Sequence, residues 1–177
     1  IVRQLKPGQG IIFNALYLDP YLWNLHYPLL PKLKREGYPI EGVTISAGIP
    51  TRETAREILA TFTSSGLWCN SFKPGSDAQI ASVLEIARDH PQLTLIMQIE
   101  GGKAGGHHSW EDIYGLLERN YAPIRRQKNI ILCAGGGIGL EEESHRLLTG
   151  TWHPSGRIMP VDAVLLGTRL MACQEAK

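Results

Sequence analysis

The sequence predicts an α/β protein built on a parallel sheet, and three observations carry that prediction. Apolar runs centred near Phe13, Val43, Cys69, Leu95, Ile131 and Val164 recur every 26 to 36 residues, the span of a strand–helix unit of roughly 30 residues. Those runs are apolar at consecutive positions instead of alternating, as expected of strands in a parallel sheet covered by helices. Between them, apolar residues recur at i, i+3, i+4 and i+7, the spacing of helices that pack by one face.

In chain order, residues 11–17 read as the first strand. Pro20, Pro28 and Pro31 then predict a broken segment with only a short helix ending at Gly37, because proline removes a backbone donor and interrupts helices. Residues 42–47 are the second strand. Thr51 caps a helix with the stripe Ala55, Ile58, Leu59, Phe62. Residues 68–73 are the third strand, and Ser76 or Asp77 caps a helix carrying Ile80, Val83, Leu84 and Ala87. Residues 93–99 are the fourth strand. Ser109 with Asp112 resembles a capping box for a helix bearing Ile113, Leu116, Leu117 and Tyr121, with Pro123 kinking or ending it. Residues 129–134 and 162–166 are the last two strands, separated by a short helix over 141–148, and a final helix runs from residue 170.

The loop after the fourth strand stands out: four glycines fall within residues 101–106, followed by His107 and His108. Glycine costs chain entropy and is useful where backbone must approach a ligand closely. Histidine titrates near neutral pH and is the commonest general acid or base. A glycine-rich strand-to-helix loop ending in two histidines is therefore the first candidate active site.

Composition excludes several classes. The chain has 18 basic and 17 acidic residues, a formal net charge of +1, with no basic run suited to nucleic acid or a membrane surface. No apolar stretch approaches the ~18 residues of a membrane span. Cys69, Cys133 and Cys173 are far apart and show no metal-ligand spacing, so they read as reduced, buried thiols of a cytoplasmic protein. His26, His90, His145 and His153 read as surface or packing residues, and Met97 and Met159 as core.

Two architectures accept six consecutive βα units: a doubly wound sheet and a (β/α)8 barrel. Gly135, Gly136 and Gly137 follow the fifth strand, and Gly167 and Thr168 follow the sixth. Barrel enzymes often bind phosphate with the loops after their last two strands. The dinucleotide fingerprint fails, because its third glycine is replaced by Leu140 and the loop follows the wrong strand. The expected fold is thus a TIM (β/α)8 barrel, incomplete, with about six of eight units present in 177 residues against roughly 250 in a typical barrel. The missing units are expected before residue 11. The chain is read as one partial domain, residues 1–177, of a larger polypeptide.

The run from Glu100 to Asp112 resembles the enoyl reductase domain of the multifunctional type I fatty acid synthase of fungi and actinobacteria. So do, in the same order, Ser46-Ala-Gly-Ile-Pro50, Phe72-Lys-Pro-Gly75, Gly135-Gly-Gly-Ile-Gly139, Leu148-Thr-Gly-Thr-Trp152, Met159-Pro-Val-Asp162 and Leu166-Gly-Thr168. A looser subset is shared with the flavin-barrel group that includes nitronate monooxygenases. The second histidine and the 152–160 segment speak against that alternative, and the intact Gly-His loop against an inactive remnant.

The resemblance implies FMN at the C-terminal ends of the strands, NADPH as reductant, and reduction of trans-2-enoyl thioesters on acyl carrier protein. It implies other synthase domains as partners, an oligomeric full-length protein, and no role for nucleic acid or membrane. It places His107 as the catalytic donor, with His108 second. Gly105 and Gly106 then let backbone approach flavin or substrate. Gly135, Gly136, Gly137, Gly167 and Thr168 hold the FMN phosphate. Lys73 faces the flavin ring, where a cation stabilises the reduced anion. Asn14 and Ser46 line the site, and Glu100 contacts flavin or pairs with Lys103. An isolated sheet lacking two strands has open edges and is expected to hold FMN poorly.

Overall fold

The computed structural model describes residues 4–105, 109–167 and 169–170. Six strands, β1 (Ile11–Leu16), β2 (Ile40–Ser46), β3 (Cys69–Phe72), β4 (Leu95–Glu100), β5 (Ile130–Gly135) and β6 (Ala163–Leu165), form one sheet. Five helices connect them: α1 (Pro20–Arg35), α2 (Arg52–Ser64), α3 (Asp77–Asp89), α4 (Ile113–Arg126) and α5 (Glu141–Thr149). The strands lie in chain order, and every neighbouring pair is parallel. Right-handed crossovers between successive neighbours put all helices on one face. The sheet curls with its helices outside, whereas a doubly wound sheet would reverse its strand order.

Register sorts the strand residues into two faces. Ala15, Ile45, Phe72, Met97 and Leu132 lie in line across five strands and are at most 1% exposed. They pack on helix residues such as Leu59, Phe62, Ile80 and Leu116. The opposite, concave face carries Asn14, Thr44, Ser71 and Ile96 in one row and Glu100 beside Gly135 in another. Strand residues that looked apolar on both faces therefore divide into an apolar outer set and a smaller, more polar inner set.

The helices expected at α2, α3 and α5 form, α2 and α3 where their caps and stripes put them. Thr51 accepts from the Thr54 N–H, and Ser76 from the Gln79 N–H. Glu141, Glu142 and Glu143 occupy the first turn of α5, where carboxylates complement the helix dipole.

Two helices differ from expectation. α1 runs 16 residues through Pro28 and Pro31. Pro20 stands at its first turn behind the Asp19 cap, which accepts from the Leu22 N–H at 2.9 Å. An interior proline costs about 3 kcal/mol, and tertiary packing overrides it here. Leu30 and Pro31 are buried, Trp23 stacks on Tyr27, and the Tyr27 hydroxyl bonds Thr61 Oγ1 at 3.0 Å. α4 likewise continues through Pro123, and its cap is Asp112, which accepts from the Gly115 N–H at 3.1 Å. Ser109 is not the cap: its hydroxyl donates to the Gly75 carbonyl and accepts from the Glu111 N–H. Asp112→Ala is expected to lower stability by about 1 kcal/mol in urea unfolding, the usual cost of losing a cap.

The cysteine expectation is met in part. Cys133 is buried, and that burial pushes its thiol up to about 11. Cys69 is only half-buried, and Cys173 lies outside the described residues.

Candidate active site

The C-terminal ends of β1 to β4 open onto a cavity of about 700 Å³, within the roughly 300–1,000 Å³ of small-molecule sites. Its walls are built by the strand ends and the loops that follow them. Asn14 and Leu16 come from β1, Ser46 from β2, Lys73 from the end of β3 and Glu100 from β4.

Backbone pairing fixes two of these positions. The Lys73 N–H donates to the Ile45 carbonyl at 3.1 Å, carrying the β2–β3 pairing one residue past Phe72. The Glu100 N–H donates to the Pro74 carbonyl at 3.1 Å. Strand alternation puts both side chains on the concave face, where the Lys73 ammonium and the Glu100 carboxylate form an ion pair. Burial pushes the Lys73 ammonium below its usual value. Glu100 therefore pairs with Lys73, not with Lys103. A partly buried ion pair gives little net stability over apolar packing, and a cleft-lining charge shifted by desolvation is a candidate for function.

The β2 end is shaped around the same cavity. The Ser46 hydroxyl donates to the Ala15 carbonyl at 3.2 Å, tying β1 to β2. Ala47 follows in the left-handed region with φ 54°, a conformation that costs a non-glycine residue about 1 kcal/mol. Backbone strain of this kind concentrates at ligand sites.

Gly105 lines the cavity, as do Ser109, Trp110 and Glu111. Gly106, His107 and His108, between them, lie outside the described residues, as does Thr168. The described residues on either side of the two histidines thus both face the cavity. Ser109 is anchored to Gly75, and Glu111 is held by Arg119 at 2.5 Å, which also grips Asp77 at 2.9 Å.

Gly135, Gly136, Gly137 and Gly167 are not among the residues lining that cavity. Gly136 lines an adjoining hollow of about 330 Å³ with Gly101, Gly102 and Lys103. Gly136 and Gly137 have φ of 103° and 82°. A Cβ on Gly136 would stand 2.7 Å from Gly101 backbone atoms, and one on Gly137 2.5 Å from the Lys103 Cβ. These two glycines let the β5–α5 loop cross the β4–α4 loop, a packing reason that needs no ligand. Gly135 ends β5 beside Glu100. At Gly167 an added Cβ would meet nothing within 4 Å, so no described neighbour demands glycine there.

The structure therefore brings together Asn14, Ser46, Lys73, Glu100 and Gly105 around the cavity, with Gly135 paired to Glu100 and Gly136 on the adjoining hollow. Sequence reasoning missed Ser109, Trp110 and Glu111 as lining residues, although they belong to the stretch it singled out. The motif residues Trp152 and Met159 meet elsewhere, the indole N–H donating to the Met159 carbonyl at 2.7 Å. Beside the smaller hollow, burial and a hydrogen bond to Glu143 push the Tyr114 phenol up to about 12. Among the described residues no group of three His, Cys, Asp or Glu side chains is placed to hold a metal ion. No described helix is long and apolar enough to cross a membrane.

A family model described as "Fatty acid synthase subunit beta/Fas1-like, helical" matches residues 94–177. The chain is 42% identical to the fatty acid synthase beta subunit pigK of Monascus ruber over 99% of its length and 9% of that protein's. It is 41% identical to the fatty acid synthase subunit beta of Schizosaccharomyces pombe, over 97% of this chain and 8% of that one. The Saccharomyces cerevisiae subunit is 37% identical, over 100% of this chain and 9% of that one. The chain thus spans 8 to 9% of the length of these relatives. Among solved structures, an archaeal fructose 1,6-bisphosphate aldolase covers 96% of this chain and 89% of its own, at 12% identity and a TM-score of 0.36, too loose a likeness to bear on fold or activity. Identity near 40% along almost the whole chain makes this chain similar to one stretch of the fungal fatty acid synthase beta subunits.

Proposed function

We propose that this chain is the larger part of an FMN-binding (β/α)8 barrel within a fatty acid synthase beta subunit. The barrel reduces trans-2-enoyl thioesters carried on acyl carrier protein, with NADPH as reductant. The observation that carries the reading is the cavity at the C-terminal strand ends, with a partly buried cation on its wall and Gly105 and Ser109, which flank the His-His pair, among its lining. Barrel enzymes work at that end.

The residues present fit the cofactor. The cavity volume suits a ring system, Asn14 and Ser46 offer polar groups, and the Lys73 ammonium offers positive charge where a reduced flavin carries negative charge. FMN, when bound, supplies hydride transfer to and from carbon. The chain's own residues bind and orient. Lys73 compensates charge, and Gly105 with Gly106 gives backbone access. His107, with His108 second, holds the proton destined for the substrate α-carbon and donates a hydrogen bond to the thioester oxygen, where charge develops. Gly135, Gly136, Gly137, Gly167 and Thr168 are assigned to the phosphate; at Gly167 an added Cβ meets no described atom within 4 Å.

The test uses the full-length subunit, purified with added FMN and read by absorbance. Flavin bands should bleach with NADPH and recover with crotonyl thioester. A colourless protein would remove the flavin reading. Bleaching by an alkyl nitronate, with recovery by O2 and none by the thioester, would replace it with the nitronate monooxygenase alternative.

A further inference from the structure

We infer that Glu100 is a positioning residue whose task is to hold the Lys73 ammonium charged and aimed into the cavity. The inference rests on the flavin reading of that cavity. Lys73 and Glu100 are fixed through backbone to neighbouring strands, their side chains are 19% and 9% exposed, and both line the cavity. Glu111 is the other carboxylate lining it among the described residues, and Arg119 already engages that group. Glu100 is therefore the acid available to Lys73. A lysine ammonium rides on a flexible four-carbon stem. Without an anchor, a partly buried one swings toward water, which lowers its desolvation cost.

Glu100 thus acts through Lys73, and its loss should resemble the loss of Lys73 in direction. Three variants of the full-length subunit, Glu100→Gln, Glu100→Asp and Lys73→Met, separate this from a structural role. In the FMN-loaded protein, Glu100→Gln should lower the preference for reduced over oxidised flavin roughly tenfold, a fall in midpoint potential of about 30 mV for a two-electron couple. Lys73→Met should lower it further, and Glu100→Asp should restore most of the wild-type value. In the apo protein, acetylation of Lys73 by acetic anhydride, read by peptide mass spectrometry, should be several-fold faster in Glu100→Gln than in wild type. A potential that stays put or rises in Glu100→Gln overturns the inference, leaving Glu100 a structural partner or a mere counter-charge. Should wild type bind no FMN, the flavin reading falls. The acetylation rates then decide the anchoring on their own, and equal rates overturn it.

Discussion

Alanine at Gly42 is expected to weaken the fold by about 3 kcal/mol or more, at the upper end of overpacking costs. Gly42 pairs with Cys69 in the β2–β3 register, and a Cβ there would land inside the van der Waals envelope of the Cys69 carbonyl oxygen. The clash is with backbone, so no side-chain rotation relieves it. Nor can β2 retreat easily, since its neighbours Val43 and Ile45 are fully buried against the helices. The bonds that flank the clash, Trp68 N–H to Glu41 and Lys73 N–H to Ile45, would have to stretch. Lys73 would then shift relative to Ser46, so the cavity wall should loosen along with the fold. Gly156→Ala is the control. Gly156 has φ 76° and open space around it, so alanine there pays only the left-handed penalty of about 1–2 kcal/mol. Urea midpoints followed by tryptophan fluorescence compare the two, and equal losses would mean that β2–β3 spacing tolerates a methyl group.

What the sequence made legible was what local chemistry decides. The six strands, the caps Thr51 and Ser76 and the stripes of α2 and α3 are set within a few residues. The order of strands followed from their spacing together with the failed dinucleotide fingerprint. α1 was misjudged because proline's local penalty is visible in sequence, whereas the Trp23, Tyr27 and Leu30 packing that outweighs it is not. The cap of α4 was misplaced because Ser109 is recruited by Gly75, 34 residues away. The same distinction runs through the site. Lys73, Glu100 and Asn14 could be singled out as residues at or near strand ends. That Glu100 pairs with Lys73 and not with the nearer Lys103 depends on two strands lying side by side. Gly136 and Gly137 are expected at the phosphate, and the close passage of the β4–α4 loop beside them is a further demand that no single stretch of sequence announces.

His107→Ala in the flavin-loaded subunit is expected to slow reoxidation by an enoyl thioester by about 10²–10³-fold, while bleaching by NADPH stays nearly unchanged. The asymmetry follows from the role proposed for the imidazole. It serves the thioester oxygen and the proton bound for the α-carbon, and neither exists in the half-reaction with the nicotinamide. His107 lies outside the described residues, and the assignment is supported by the residues that flank it. Gly105 and Ser109 line the cavity, and Ser109 is pinned to the β3–α3 loop through Gly75. His108→Ala, measured in parallel by stopped-flow absorbance, divides the roles. A larger loss at His108 exchanges the two assignments. Equal losses in both half-reactions would point to disturbed flavin binding, and no loss in either variant would leave the thioester oxygen to a donor other than imidazole. Ser109→Ala adds a third arm, because it releases the loop without touching either histidine. If the anchor holds the imidazole in register, Ser109→Ala should reproduce a smaller version of the His107→Ala defect, again confined to reoxidation.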